Sequence, residues 1–278
     1  MLVEKFCLTS NMPHDFARIR HVVLDLDGTL YRGNQLFAAT LPFLERLRAL
    51  GIGYTFLTNN TSRSKADYVA KLTKLGIETN EEQIYTPADS TMAYLREKLP
   101  QVKTIAVLGT PSLCEQFEQA GWRVRWEDPQ AVIVGFDTTL DYDRLCRTAY
   151  WISRGLPYIA THPDLVCPTD EPTVMVDCGS ICACLNAATG REPLVLGKPD
   201  PAILLALAAR QGIAPSELAM VGDRIYTDMA MAQRAGAMAV LVLSGEATAE
   251  QAAAMERRPD LMVMDVGELG ERIEQARR

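Results

Sequence analysis

The chain has 278 residues, 48% of them hydrophobic, with 28 Lys and Arg against 35 Asp and Glu for a formal net charge of −7. That is enough apolar material for one large or two modest domains. The acidic balance excludes general attraction to a nucleic acid polymer or an anionic membrane, though a local positive pocket for a phosphorylated small molecule is compatible with it.

The opening stretch MLVEKFCLTS is too polar and too short to read as a secretory leader. No apolar run nears the roughly 20 residues of a membrane helix. With seven cysteines, an odd number (Cys7, Cys114, Cys146, Cys167, Cys178, Cys182 and Cys184), the expectation is a cytoplasmic protein with reduced thiols.

Along the chain, short apolar runs alternate with amphipathic stretches. HVVLDL (21–26) reads as a buried strand and ends in Asp25-Leu26-Asp27-Gly28-Thr29. Thr40 to Leu50 reads as a helix with Leu41, Leu44, Leu47 and Ala49 near one face. GYTFLT (53–58) is the next strand, followed by Asn59-Asn60, and Lys65 to Leu75 the next helix, with Val69, Leu72 and Leu75 inward. From about residue 84 to 182 a second strand–helix pattern appears, with strands TIAVLG (104–109), AVIVGF (131–136) and PYIAT (157–161) and a polar loop THPDLVCPTDEPT (161–173). Cys178, Cys182 and Cys184 follow as C-x3-C-x-C, which departs from paired zinc knuckles and reads as small buried residues at a helix start. Gly197-Lys198-Pro199-Asp200-Pro201 leads into an Ala/Leu-rich helix from Ala202 to Arg210. ELAMVGD (217–223) and AVLVL (239–243) are further strands, and the tail from Glu246 reads as a helical covering element. This alternation predicts an α/β fold, a Rossmann-like parallel sheet covered by helices on both faces, with ligands beyond the carboxyl ends of its strands.

Four motifs fall at such ends. Asp25 and Asp27, two apart on a strand, share a face, and two close carboxylates call for a divalent cation. Thr58 with the amides around Asn59 and Asn60 suits phosphate oxygens, while Asn-Asn-Thr-Ser equally suits a helix cap. Lys198 near a helix start favours an anion. Asp223 and Asp228 offer hard oxygen ligands, with a capping role for Asp228 as the alternative. A P-loop is disfavoured, because Lys198 is followed by Pro199.

The order DLDGT, TNN, GKPDP, GDRIYTD resembles the haloacid dehalogenase (HAD) superfamily, and GFDTTL (135–140), THPD (161–164) and AATGREPLVLGKP (187–199) are similar to its NagD-like, 4-nitrophenyl phosphatase branch. The resemblance implies a HAD fold, with a catalytic core of residues 1–84 and 183–278 and an inserted α/β cap, residues 85–182. It implies a Mg2+-dependent phosphomonoesterase acting on a sugar phosphate, nucleotide or pyridoxal phosphate type of metabolite, with 4-nitrophenyl phosphate as artificial substrate. Asp25 would be nucleophile and metal ligand; Asp27 general acid and base, with its backbone carbonyl on the metal. Thr58, Asn59 and Asn60 would hold the phosphate, Lys198 would neutralise charge, Asp223 would ligate the metal, and Asp228 would support it directly or through water. Candidate cap contacts are Phe136, Asp137, His162, Asp164 and Asp177, although His162 in T-H-P-D reads more readily as a loop-structuring histidine. Where relatives carry P-x-x-G-x-G-S, this chain reads Met175-Val176-Asp177-Cys178-Gly179-Ser180, so substrate does not carry over. A dehalogenase would need neither metal nor Asp27, a phosphomutase would keep every motif, and a non-catalytic binding protein would lack the nucleophile or lysine. A homodimer is compatible with the sequence.

Overall fold

The computed structural model describes residues 16–168 and 173–278. Cys7 and the segment MLVEKFCLTS lie outside the described residues, as do residues 169–172 of the polar loop.

Six parallel strands make the main sheet, in the order Leu261–Val263, Met238–Val242, Leu218–Gly222, His21–Leu24, Gly53–Leu57, Ile84–Tyr85. The first strand in sequence is central, and the chain builds outward from it in both directions, which makes its carboxyl end the topological switch point. Its side chains alternate between layers. Val22 and Leu24 pack with Phe43, Leu47, Leu72 and Leu269, and Val23 packs on the other face with Leu204, Leu207 and Met231. Each fully buried aliphatic side chain contributes roughly 1.5–3 kcal/mol, and burial on both faces is why these strands read as unbroken apolar runs.

A second parallel sheet runs in the order Leu194–Val195, Tyr158–Ala160, Ala131–Val134, Thr104–Leu108, Arg123–Val124. Helices Pro87–Lys98 and Pro111–Gln119 pack against Ile105, Val107 and Ile133, and helices Tyr142–Ser153 and Cys178–Thr189 against Leu108, Val132 and Val134. This sheet therefore draws on residues up to Val195. The carboxyl ends of the two sheets meet. The Phe136 amide donates to Thr61 Oγ1 (3.0 Å), Thr61 Oγ1 lies 3.3 Å from Thr161 Oγ1, and Thr110 Oγ1 donates to the Ser62 carbonyl (3.2 Å).

Three expectations need correction. Leu41 is 36% exposed, and Phe43 takes the inward place on helix Thr40–Ala49, because the buried stripe there is Thr40, Phe43, Leu44 and Leu47. The tail is not wholly helical: between helices Ala249–Ala253 and Val266–Ala276 the strand Leu261–Val263 forms one edge of the main sheet. The polar loop contains the strand Val166–Pro168, paired antiparallel with Val174–Val176. Elements of three residues are too short to show periodicity, and their form is decided by the neighbour they pair with.

Candidate active site

Asp25, Thr58 and Asp223 are the first residues beyond three adjacent strands, His21–Leu24, Gly53–Leu57 and Leu218–Gly222. The strand register brings them to one edge, where all three are buried. Lys198, 2% exposed, reaches in from the loop before helix Ala202–Gln211. Its ammonium donates to Asp25 Oδ1 at 2.5 Å and to Asp228 Oδ1 at 2.7 Å. Burial lowers the lysine pKa, but the carboxylates of Asp228 and Asp25 outweigh it and hold the group above its ordinary value.

Asp25, Asp223 and Asp228 offer carboxylate oxygens that all lie within 4.8 Å of one another. Burial raises Asp223 to about 8, and the charges of Asp25 and Asp228 add to the shift. Burial likewise raises Asp228 to about 6 against the opposing pull of Lys198. One ammonium among three buried carboxylates leaves the cluster short of positive charge, and the buried Asp223 Oδ1 has no hydrogen-bond partner. A hard divalent cation fits this donor set. Asp223 is also tightly walled. A Cβ on Gly28 (φ +84°) would lie 2.2 Å from its Oδ2, and one on Gly245 1.9 Å from the same atom. The Glu246 amide donates to that oxygen at 2.7 Å. Asp228 sits in a π turn, Ile225–Met229, and its Oδ2 accepts from the Arg224 amide at 3.1 Å, so it caps that turn while its other oxygen holds Lys198.

The Asp27 carboxyl stands apart from this trio. Its side chain is 64% exposed, 4.0 Å from Lys71 Nζ, and it lines the cleft. Protein crowded around it is the largest cause of a pKa above the ordinary carboxylate range; Asp25 adds to the rise and Lys71 opposes it.

The Thr58 hydroxyl faces the same cleft and accepts from the Asn60 amide at 3.1 Å. The Asn60 side chain accepts from Ser62 N (2.9 Å) and Ser62 Oγ (2.7 Å), bracing the turn, and the helix cap that follows is Ser64. Asn59 is a splint: its Oδ1 accepts from Lys198 N (2.9 Å) and its Nδ2 donates to Lys198 O (3.1 Å).

The cleft measures about 880 Å3. Phe136, Asp164 and Asp177 line it from the second sheet, with Cys167 and Met175, and Arg63, Lys71 and Arg224 bring positive charge from the main-sheet side. Asp137 is elsewhere, ion-paired with Arg144. His162 is fully buried behind the wall, Nδ1 3.8 Å from Asp164 Oδ2 and Nε2 3.4 Å from Asp177 Oδ1. Burial lowers His162 to about 4 and raises Asp177 to about 7. These three form the other candidate metal group among the described residues, but both Asp164 oxygens already accept from donors, Asn59 Nδ2 at 3.2 Å and Arg224 Nη1 at 3.1 Å. Neither group contains a cysteine; Cys178 and Cys182 are buried and free, Cys184 exposed and free. Arg224, Gly245 and Glu246 were not singled out from sequence; only the position of Arg224 beside Asp223 could have marked it.

A cluster of acidic residues and one lysine at the switch point of a parallel α/β sheet, roofed by a second α/β sheet, defines a hydrolase of the HAD type. A haloacid dehalogenase-like hydrolase family model matches residues 22–123, and a second HAD-hydrolase-like model matches residues 195–269. The chain belongs to the haloacid dehalogenase-like hydrolases. Within them it falls in the NagD-like branch. It is 30% identical to ribonucleotide monophosphatase NagD of Escherichia coli over 251 residues, 90% of this chain and 98% of that protein. A 4-nitrophenylphosphatase from Thermotoga maritima superposes with a TM-score of 0.89 and 38% identity, covering 93% of this chain and 98% of that one. The glycerol phosphate phosphatase of Mycobacterium tuberculosis, solved in complex with magnesium, superposes at 0.86 with 30% identity, covering 92% of this chain and 78% of that one. No helix among the described residues is long and apolar enough to cross a membrane.

Proposed function

We propose that this protein is a Mg2+-dependent phosphomonoesterase that hydrolyses a small phosphorylated metabolite of the sugar phosphate, nucleotide or pyridoxal phosphate type through an aspartyl-phosphate on Asp25. The observation that carries the reading is the convergence of Asp25, Asp223 and Asp228 around the Lys198 ammonium, at 2.5 and 2.7 Å from two of them. A phosphate dianion repels a carboxylate nucleophile, so positive charge must gather where the two meet.

Asp25 and Asp223 would hold the Mg2+, with Asp228 in support; when bound, the ion supplies charge neutralisation and orients phosphoryl oxygens. Thr58 would donate its hydroxyl to a phosphate oxygen, and Lys198 would balance the charge of both the ester and Asp25. Asp25 attacks phosphorus in line, forming an O–P bond as the ester O–P bond breaks. Asp27, exposed to the cleft and raised in pKa, delivers its proton to the departing alkoxide. It then takes a proton from the water that cleaves the acyl phosphate, returning Asp25 as carboxylate and releasing inorganic phosphate.

The cap, expected at residues 85–182, extends in this reading over residues 87–196, because helix Cys178–Thr189 and the strand Leu194–Val195 belong to the second sheet; it would close over the cleft to exclude water and to select the leaving group. A cytoplasmic location accords with six free cysteines among the described residues. The test is hydrolysis of 4-nitrophenyl phosphate and a phosphometabolite panel with Mg2+. Asp25→Asn is expected to lose more than about a thousandfold, or about 4 kcal/mol of barrier; near-normal turnover by that variant refutes the nucleophile assignment.

A further inference from the structure

We propose that Asp164, a residue of the second sheet's loop, is a positioning residue for the catalytic centre, fixing Lys198 through Asn59 and keeping the Arg224 guanidinium off Asp25. The inference rests on the phosphatase reading above.

Asp164 is 6% exposed and lies four residues past the strand Tyr158–Ala160. It touches both of the loops that build the site. Its Oδ1 accepts from Asn59 Nδ2 at 3.2 Å, next to Thr58, and its Oδ2 accepts from Arg224 Nη1 at 3.1 Å, next to Asp223. Asn59 Nδ2 thus has two acceptors, Asp164 and the Lys198 carbonyl, which fixes the amide's orientation. Only in that orientation does Asn59 Oδ1 meet the Lys198 amide at 2.9 Å. The backbone that aims the ammonium is therefore held, at one remove, by a residue of the other sheet.

The second arm is electrostatic. Arg224 lines the cleft together with Asp25, and its guanidinium is shared between Asp164 and Glu246, with Nε 3.0 Å from Glu246 Oε2. Glu246 is partly exposed, so Asp164 is the buried and less screened of the two partners. Without it, a guanidinium in a site rich in carboxylates turns toward Asp25, the group that must stay free to attack and to share the cation.

Asp164→Asn keeps the shape and removes the charge. The expected outcome is a 4-nitrophenyl phosphate kcat lower by about 10–100-fold with KM within about threefold, and a Mg2+ affinity by calorimetry weaker by about 10-fold, as for outer-sphere partners generally. Replacing both residues, Asp164→Leu with Arg224→Met, leaves no unpaired buried charge and no acceptor at 164 for Asn59 Nδ2, so Mg2+ affinity should return to within about threefold of the wild type while kcat stays low. Should Asp164→Asn not fold, that pair carries the test alone. Wild-type kcat in any of these variants, or Mg2+ affinity that Arg224→Met does not restore, overturns the proposal. Failure of the wild-type protein to hydrolyse any phosphomonoester would refute the phosphatase reading instead, and the Mg2+ calorimetry separates the two.

Discussion

Gly28→Ala isolates the contribution of one carboxylate position. A Cβ at residue 28 would lie 2.2 Å from Asp223 Oδ2 and 2.7 Å from its Cγ, whereas real Cβ atoms essentially never come closer than 3.0 Å, so the carboxylate must retreat by at least about 0.8 Å. Gly245 leaves no slack, since a Cβ there would already meet the same oxygen at 1.9 Å. A displacement near 1 Å in a catalytic array costs about 100-fold in rate. The variant should therefore lose about 100-fold in kcat/KM on 4-nitrophenyl phosphate and need more Mg2+ for half-maximal activity. Residue 28 also has φ +84°, which costs an Ala about 1–2 kcal/mol of stability. Gly51→Ala separates the two effects: φ there is +66° and nothing lies within 4 Å of the added Cβ. It should lower the melting temperature by a similar amount with activity unchanged. Equal activity of the two variants, or a Gly28→Ala enzyme with unaltered Mg2+ demand, would refute the claim that Asp223 is held at its place by the absence of side chains around it.

Asp27→Asn should be nearly as harmful as Asp25→Asn with alkyl phosphates and milder with 4-nitrophenyl phosphate, whose leaving group barely needs a proton; equal losses on both substrates would exclude Asp27 as the acid. In EDTA-stripped protein, stability should fall as pH rises from about 6.5 to about 8. Asp223 (about 8) and Asp177 (about 7) keep protons in the fold that the unfolded chain, at 3.8, has released. Below 6.5, His21 and His162, both lowered to about 4, act in the opposite direction. Mg2+ should flatten the upper slope by favouring ionised carboxylates, and melting curves at pH 6.5 and 8 with and without the ion read both effects. Ser64→Ala removes the capping box in which Ser64 Oγ accepts from the Asp67 amide at 3.1 Å. It should cost about 1 kcal/mol of stability and leave the kinetic constants alone; a change in KM would mean that the cap also fixes the place of Lys71, which this helix carries into the cleft.

The long buried strands were legible because both faces of each are covered, so nearly every residue is apolar: HVVL, TIAVL and AVIV are β-branched and bounded by polar or turn residues, which reads as strand. Asp25, Thr58 and Asp223 were legible for a related reason, since carboxylates or a hydroxyl placed directly after such runs must emerge at one edge. The short pairings were not. Arg123–Val124 and Leu194–Val195 have no pattern of their own and exist because a neighbouring strand offers free backbone groups. In the site, sequence offered the amides around Asn59 for phosphate but gave no sign that the Asn59 side chain binds a backbone 139 residues away. Of the candidate cap contacts, His162 is buried behind the wall, as a loop-structuring histidine would be, and Asp137 is committed to Arg144. Long-range partners of this sort leave no local trace, because the spacing between them is set by everything folded in between.

The two sheets are joined by very little chain. Only Thr86 separates the strand ending at Tyr85 from the helix beginning at Pro87, and only Leu196 and Gly197 separate Val195 from Lys198. Tethers so brief act as strap hinges and not as leashes: the roof can rock but cannot wander, and any swing of it tugs on the segment that carries the Lys198 amine. Grafting a foreign roof onto this frame would thus have to match strap lengths to the residue, or the amine would arrive out of step with its carboxylates.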